Sequence, residues 1–243
     1  MLYKSPPPAP KRPMGPFTVR VNSPGEAVPG HNDHGYGRLA VIGESFLEPG
    51  TFIRMHEHRN DEIISYVPQG VMRHDDRSVG KLVTDPDHLM VMNAGRSFWH
   101  EERTLQCDPH LRMLQIFIRP HTIDLEPRIQ HGRLAAPEPS TWRYLAGPEG
   151  SDAPFTVRND IRFYDLRLNE SAATCMPEVP GCDAYLYVFT GEIEVNGAHF
   201  AEAESGLVTK AGGLTVRATR PSLLVAFLIS PDAEVTREGT IGR

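Results

Sequence analysis

A short motif occurs twice in this chain, and the repeat limits what it can fold into. Tyr66-Val67-Pro68-Gln69-Gly70 returns 121 residues later as Tyr187-Val188-Phe189-Thr190-Gly191, and Ala94-Gly95 returns 117 residues later as Ala211-Gly212. A near-constant offset within 243 residues points to two copies of one structural unit. Each copy reads as β. Short runs with strand character follow closely on one another, bounded by Gly, Pro, Asn or Asp. They are Phe17–Val21, Arg38–Phe46, Ile63–Val67, Val71–His74, Leu89–Met92, Arg112–Ile118, Ile161–Leu168, Ala184–Phe189, Glu192–Val195, Leu214–Ala218 and Leu223–Ile229. Asn196-Gly197 is a strong hairpin signal, because both residues tolerate positive φ. The expected fold is all-β: two tandem antiparallel β-barrels of jelly-roll type, over residues 1–135 and 136–243.

Residues 119–150 hold Pro120, Pro127, Pro137, Pro139 and Pro148 and read as a linker with a short helix or two. Met1 to Pro16 is Pro-rich and reads as an extended tail without the apolar stretch of a signal peptide. Cys107, Cys175 and Cys182 are too few for a disulfide framework and suit a reducing compartment. No run is long and apolar enough to span a membrane. The expectation is a soluble, cytoplasmic protein, monomeric because two barrels already pair within one chain. A formal net charge of −6 argues against a broad basic face for nucleic acid. P-loop, nucleophile-elbow and dinucleotide fingerprints are absent.

The chemistry concentrates in Phe52 to Glu62, FIRMHEHRNDE. Side chains on a strand alternate with a period of two, so His56 and His58 point the same way and can reach one ion. His100 and Glu102 form a second pair with the same gap. On neighbouring strands the two pairs make a site of three histidines and one carboxylate. That donor set accepts a divalent metal such as Fe(II), Mn, Ni, Cu or Zn without selecting one. Glu62 shares the histidines' parity and is the rival carboxylate, as a ligand or as a support behind one. Either Glu102 or Glu62 could take a proton from a substrate. Glu101 points the opposite way. His74 reads as a pocket or supporting residue, or else as an ordinary polar residue of a strand. Phe98 and Trp99 read as walls of an aromatic pocket or as core. In the second copy the offsets place Pro177, Val179, Arg217 and Thr219 where the first has its four candidates, so only one half is expected to bind metal.

These motifs resemble the cupin superfamily and, within it, the pirin family. The cupin spacing runs Gly50, five residues, His56-x-His58, three residues, Glu62, then Gly70. The pirin form HPH-x-x-x-E-x-x-x-Y-V-x-x-G is matched by HEHRNDEIISYVPQG, with Glu57 in place of the usual Pro. Asn93-Ala94-Gly95, four residues, then His100-Glu101-Glu102 is similar to the second pirin motif, and Leu114 to Ile118 leads on to Pro127-Arg128. An aromatic segment usual near a pirin N-terminus is absent. The resemblance implies a bicupin with metal, typically iron, in its first barrel, held by His56, His58, His100 and Glu102, and it demotes Glu62. Some bacterial pirins resemble quercetin 2,3-dioxygenases, which cleave the flavonol ring with O2, whereas animal pirins act as nuclear co-regulators of transcription. It therefore implies either an Fe(II) dioxygenase taking a small aromatic substrate and O2, or a non-catalytic metal-binding regulator with a protein partner.

Overall fold

The computed structural model describes residues 1–210, 212–231 and 234–243, so Ala211, part of the shorter repeat, lies outside them. In the first half a seven-stranded sheet runs Arg128–Arg133, His88–Asn93, Glu62–Gln69, Leu111–Ile118, Leu39–Leu47, Phe17–Asn22, Arg12–Met14. Across it lies a four-stranded sheet, Phe52–His58, Phe98–Arg103, Met72–Asp76, Lys81–Thr84. The second half repeats the plan. Its seven strands are Leu2–Lys4, Ser205–Val208, Asp183–Thr190, Ser222–Ile229, Ile161–Leu168, Arg143–Pro148 and Phe155–Val157. Its four are Ala173–Cys175, Thr215–Ala218, Glu192–Val195 and Ala198–Ala201. Each half is a two-sheet jelly roll; among the described residues its two sheets do not join edge to edge into a closed barrel.

Among the described residues helix is confined to one 3₁₀ turn, Pro24–Ala27, and no helix is long and apolar enough to cross a membrane. The hairpin at Asn196-Gly197 is present, with φ of 49° and 79° and Val195 opposite Ala198. None of the three cysteines forms a disulfide.

Two expectations are corrected. The tail is built into sheets: Leu2–Lys4 pairs with Ser205–Val208 of the other half, and Arg12–Met14 forms a hairpin with Phe17–Asn22. The Pro-rich linker holds two strands, Arg128–Arg133 and Arg143–Pro148, and no α-helix. Three of these four strands lie at sheet edges, and Arg143–Pro148 is next to one. An edge strand leaves half of its backbone unpaired, so it tolerates Pro and needs little apolar alternation. That is why the sequence of the three edge strands reads as loop.

The repeat marks the seam between the halves. Its two glycines close tight turns at φ 93° (Gly70) and 88° (Gly191). A Cβ would meet Leu111 Cα at 2.6 Å in the first case and the Pro221 carbonyl oxygen at 2.3 Å in the second. The two tyrosines reach across the seam reciprocally. Tyr66 donates to Asp165 Oδ2 at 2.7 Å, and Tyr187 donates to Glu44 Oε2 at 2.9 Å. Glu44 and Asp165 are themselves 121 residues apart. Each carboxylate is also met by arginine: Asp165 by Arg143 at 2.9 and 2.6 Å, Glu44 by Arg20 at 2.9 Å and by Arg112. Burial and the neighbouring carboxylate push both phenols upward, so they stay protonated donors.

Around these bonds the two large sheets pack face to face. Ile64, Tyr66, Leu114 and Ile116 of one half share a single apolar cluster with Phe163, Tyr187, Val225 and Phe227 of the other. Period-two alternation sends their neighbours to the opposite face, into each half's own interior. In the second half that interior is one apolar cluster, including Leu186, Val188, Ile193, Phe200 and Val216. In the first half it is divided. Phe98, Phe117, Ile63 and Met92 form one cluster, and Met72, Val67, Met90 and Met113 form another. The histidines lie on the four-stranded sheet of this divided half.

Candidate metal centre

Three adjacent strands of the small sheet carry the site. His100 lies opposite His56 on one side and Asp76 on the other, and Glu102 lies opposite His74. Phe98, His100 and Glu102 face inward, while Trp99, Glu101 and Arg103 face outward. Ligand atoms of His56, His58 and His100 lie within 4.8 Å of one another. The ring centroids of His56 and His100 are 4.3 Å apart. Glu102 is displaced from this trio. A β-bulge shifts the register between His100 and Glu102, placing Glu102 opposite Ile53, and its carboxylate instead groups with His100 and His74. Oε1 of Glu102 is 3.9 Å from His100 Nδ1, and both its oxygens accept from Gln115 Nε2 at 3.2 and 3.3 Å.

The rings are oriented from behind. His56 Nδ1 donates to the Arg54 carbonyl at 2.9 Å, and His58 Nδ1 is 3.5 Å from Asp61 Oδ2. His100 Nδ1 is 3.2 Å from His74 Nδ1. The Arg54 carbonyl holds the His56 proton on Nδ1 and leaves its Nε2 as the free lone pair, whereas His58 Nδ1 is buried and makes no hydrogen bond. His100 Nε2 is buried and has no protein partner. An orphaned buried nitrogen beside two further imidazoles is costly unless something coordinates it. Desolvation, above all, and the neighbouring imidazoles hold the His100 ring far below the ordinary histidine range, and desolvation lowers His56 as well, so both are neutral and able to ligate. Desolvation raises the Glu102 carboxyl to about 7, against the opposing pull of His58 and Gln115. A nitrogen-rich set with one carboxylate fits a divalent transition metal.

The cluster opens onto a cavity of about 440 Å³. Its walls are Phe17, Val19, Val21, Val41, Phe117 and Ile241, with His56, His58, Glu102 and Gln115 at the polar end. Ser45 also lines it, and its buried hydroxyl has no protein partner. Ile241 belongs to a segment that returns from the second half. Its backbone N–H and that of Gly242 donate to the Asp61 carboxylate behind His58 at 3.1 and 2.8 Å.

Of the expected residues, the structure brings His56, His58 and His100 together, with Glu102 beside His100. Glu62 is elsewhere. It is on the large sheet, where its carboxylate accepts from Asn93 Nδ2 and from the Arg158 backbone N–H at 2.9 Å. The parity argument for Glu62 failed because the chain changes sheets between His58 and Glu62. Phe98 is buried in the core and Trp99 is exposed beside Arg77; neither lines the cavity. His74 is drawn into the site together with Asp76, to which its Nε2 is bonded at 2.7 Å. The signal for that pair was present as a third one-residue gap, His74-x-Asp76.

Glu62 gives a pH test of the fold. Desolvation outweighs its two donors and raises its carboxyl to about 7 from 4.5. The unfolded chain loses this proton near 4.5 and the folded chain near 7. The proton therefore favours the folded state at low pH, and that advantage is lost as pH rises through about 7, a change of about 3 kcal/mol. Thermal denaturation from about pH 5 to 8 is expected to show wild type losing stability relative to Glu62→Gln as pH rises. A constant difference would remove Glu62 as a buried acid.

Family comparison agrees with the geometry. The Pirin sequence profile matches residues 30–118, and the profile of the quercetinase C-terminal cupin domain matches residues 144–228. A Pseudomonas aeruginosa protein provisionally named as a quercetin 2,3-dioxygenase is 32% identical over 183 residues, 72% of this chain and 75% of that one. This chain belongs to the pirin family of cupins. Another relative of this pirin, named quercetin 2,3-dioxygenase, from Escherichia coli K12, is 22% identical over 200 residues, 82% of this chain and 86% of that one. The bacterial pirin YhhW of Escherichia coli, solved in complex with nickel(II), has the same fold: TM-score 0.80 at 20% identity, over 95% of this chain and 99% of that one.

Proposed function

We propose that this pirin is a metal-dependent dioxygenase of the quercetin 2,3-dioxygenase type, taking a planar flavonol-like substrate and O2. The observation that carries the reading is a set of imidazoles converging at the polar end of a largely apolar cavity. The relatives' names support the same reaction class. His56, His58, His100 and Glu102 would hold the metal, Fe(II) being the first candidate and Mn, Ni, Cu or Zn the others. When bound, it would supply Lewis acidity and redox capacity toward substrate and O2.

The chain's own residues do the rest. Phe17, Val19, Val41, Phe117 and Ile241 take the aromatic body and exclude water. The Ser45 hydroxyl, lacking a partner, offers a hydrogen bond to a substrate oxygen. Glu102, steered by Gln115, is the carboxylate at the polar end of the cavity and takes the proton of the substrate's enolic hydroxyl at Oε1 or Oε2. The first half, to about residue 135, carries this chemistry, and residues 136–243 are structural apart from the Thr240–Ile241 segment that lines the cavity.

The test is O2 uptake by the Fe(II)-loaded protein with quercetin, compared with Glu102→Ala. Wild type is expected to consume O2 and bleach the flavonol, and the variant to be slower by about 100- to 10,000-fold. A protein that retains its metal and consumes no O2 with any flavonol would overturn the enzyme reading in favour of the regulator.

A further inference from the structure

We propose that Asp76 and His74 form a proton-ordered relay that dictates which nitrogen of His100 is free, making them positioning residues for the cation. This inference rests on the metal-site reading above.

The chain of bonds has a direction. Asp76 Oδ1 accepts from Ser78 N at 2.6 Å, Ser78 Oγ at 2.7 Å and Val79 N at 2.8 Å. Asp76 Oδ2 lies 2.7 Å from His74 Nε2. A carboxylate facing that many donors is an acceptor only, so His74 carries its proton on Nε2. A neutral imidazole has one N–H, so His74 Nδ1 is left as an acceptor. Its neighbour at 3.2 Å, His100 Nδ1, must then be the donor. His100 Nε2 is thereby unprotonated, and this is the buried nitrogen without a protein partner.

His100 needs such a relay and His56 does not. The acceptor behind His56 is a backbone carbonyl, and the nearest group behind His58, at 3.5 Å and without a hydrogen bond, is the Asp61 carboxylate; neither can donate. Behind His100 is another imidazole, which can present either a proton or a lone pair. Its polarity has to be imposed from farther out, and Asp76 imposes it. His74 itself has no lone pair to spare, because both of its nitrogens are engaged. That argues against His74 as a ligand, although it groups with His100 and Glu102 at metal-site distances.

Asp76→Asn reverses the relay. Two backbone N–H groups hold the Oδ1 position, so the new amide must place its oxygen there and its NH2 toward His74 Nε2. His74 then donates from Nδ1, His100 accepts at Nδ1, and the His100 proton moves to Nε2. His74→Phe keeps the ring's volume and removes the instruction, so His100 should populate both tautomers.

The experiment has two readouts on the full chain. Ring-nitrogen NMR of the metal-free protein reads the tautomer, and Zn(II) competition against a chromophoric chelator reads affinity. Wild-type His100 is expected to be protonated at Nδ1. Asp76→Asn is expected to move that proton to Nε2 and weaken Zn(II) binding about 10- to 100-fold, the usual size of a loss behind a ligand. His74→Phe is expected to give mixed tautomers and intermediate loss. Protonation of wild-type His100 at Nε2, or an unchanged tautomer and affinity in both variants, would overturn the relay. A wild type that binds no Zn(II) yet shows the tautomer switch would keep the relay and overturn the metal centre instead.

Discussion

His100→Ala is expected to leave a folded protein that retains no stoichiometric metal after dialysis. Of the three converging histidines, His100 is the most deeply placed, with 1% of its surface exposed. Its ring centroid is 4.3 Å from His56, 5.3 Å from His58 and 4.9 Å from His74. Its Nε2 is the orphaned nitrogen. Truncation removes the shared member of both candidate trios and leaves His74 Nδ1 unpaired. The loss of affinity should exceed the roughly 10- to 100-fold typical of changes behind a ligand. The fold should survive, because the two apolar clusters of its half keep all of their members in the variant. Elemental analysis alongside far-ultraviolet circular dichroism reads both quantities. About one metal per chain in wild type and almost none in the variant is the expected pair of results; an equal content in both would dismiss the centre.

Glu44→Ala carries the largest expected loss of stability, about 3–5 kcal/mol. Glu44 is 1% exposed and bound by Arg20, Arg112 and Tyr187 at once. A buried pair contributes little compared with a well-packed apolar substitute, because desolvation offsets the Coulomb gain. Removing one partner is different: the arginines stay where they are and lose their counter-charge. Tyr187→Phe deletes one neutral donor to the same carboxylate and should lose about 1–3 kcal/mol, less than Glu44→Ala. Asp165→Ala should resemble Glu44→Ala, since Arg143 and Tyr66 meet Asp165 in the same way. Urea denaturation midpoints should follow that order. A loss under about 1 kcal/mol for Glu44→Ala would mean that the seam is held by its apolar packing alone.

The repeat, the central strands and three of the metal-binding candidates were legible because each rests on a local rule. Alternation placed His56 with His58 and His100 with Glu102, and the glycines of the repeat marked real turns. What was missed depends on partners distant in sequence. Leu2–Lys4 and Arg128–Arg133 become strands only because an edge elsewhere accepts them. Glu62 kept the right parity and ended on the wrong sheet, since parity does not carry across a turn between sheets. The cavity wall unites Phe17 with Ile241, a contact that no local pattern announces. His74 and Asp76 were within reach of the same period-two reading; their roles depend on a bond to His100, which only the register between strands provides.

The largest apolar cluster belongs to neither half: Ile64 and Leu114 come from one, Phe163 and Phe227 from the other. Neither jelly roll therefore has a free energy of unfolding that is its own. Opening the seam exposes both large sheets together, so the two halves melt as one cooperative unit. The small sheet that bears the histidines is outside this bargain. Its packing comes from the two divided clusters, and it can open locally at lower free energy while the shared core stays closed. The centre thus lies on a sheet free to breathe, anchored to a core that both halves hold shut.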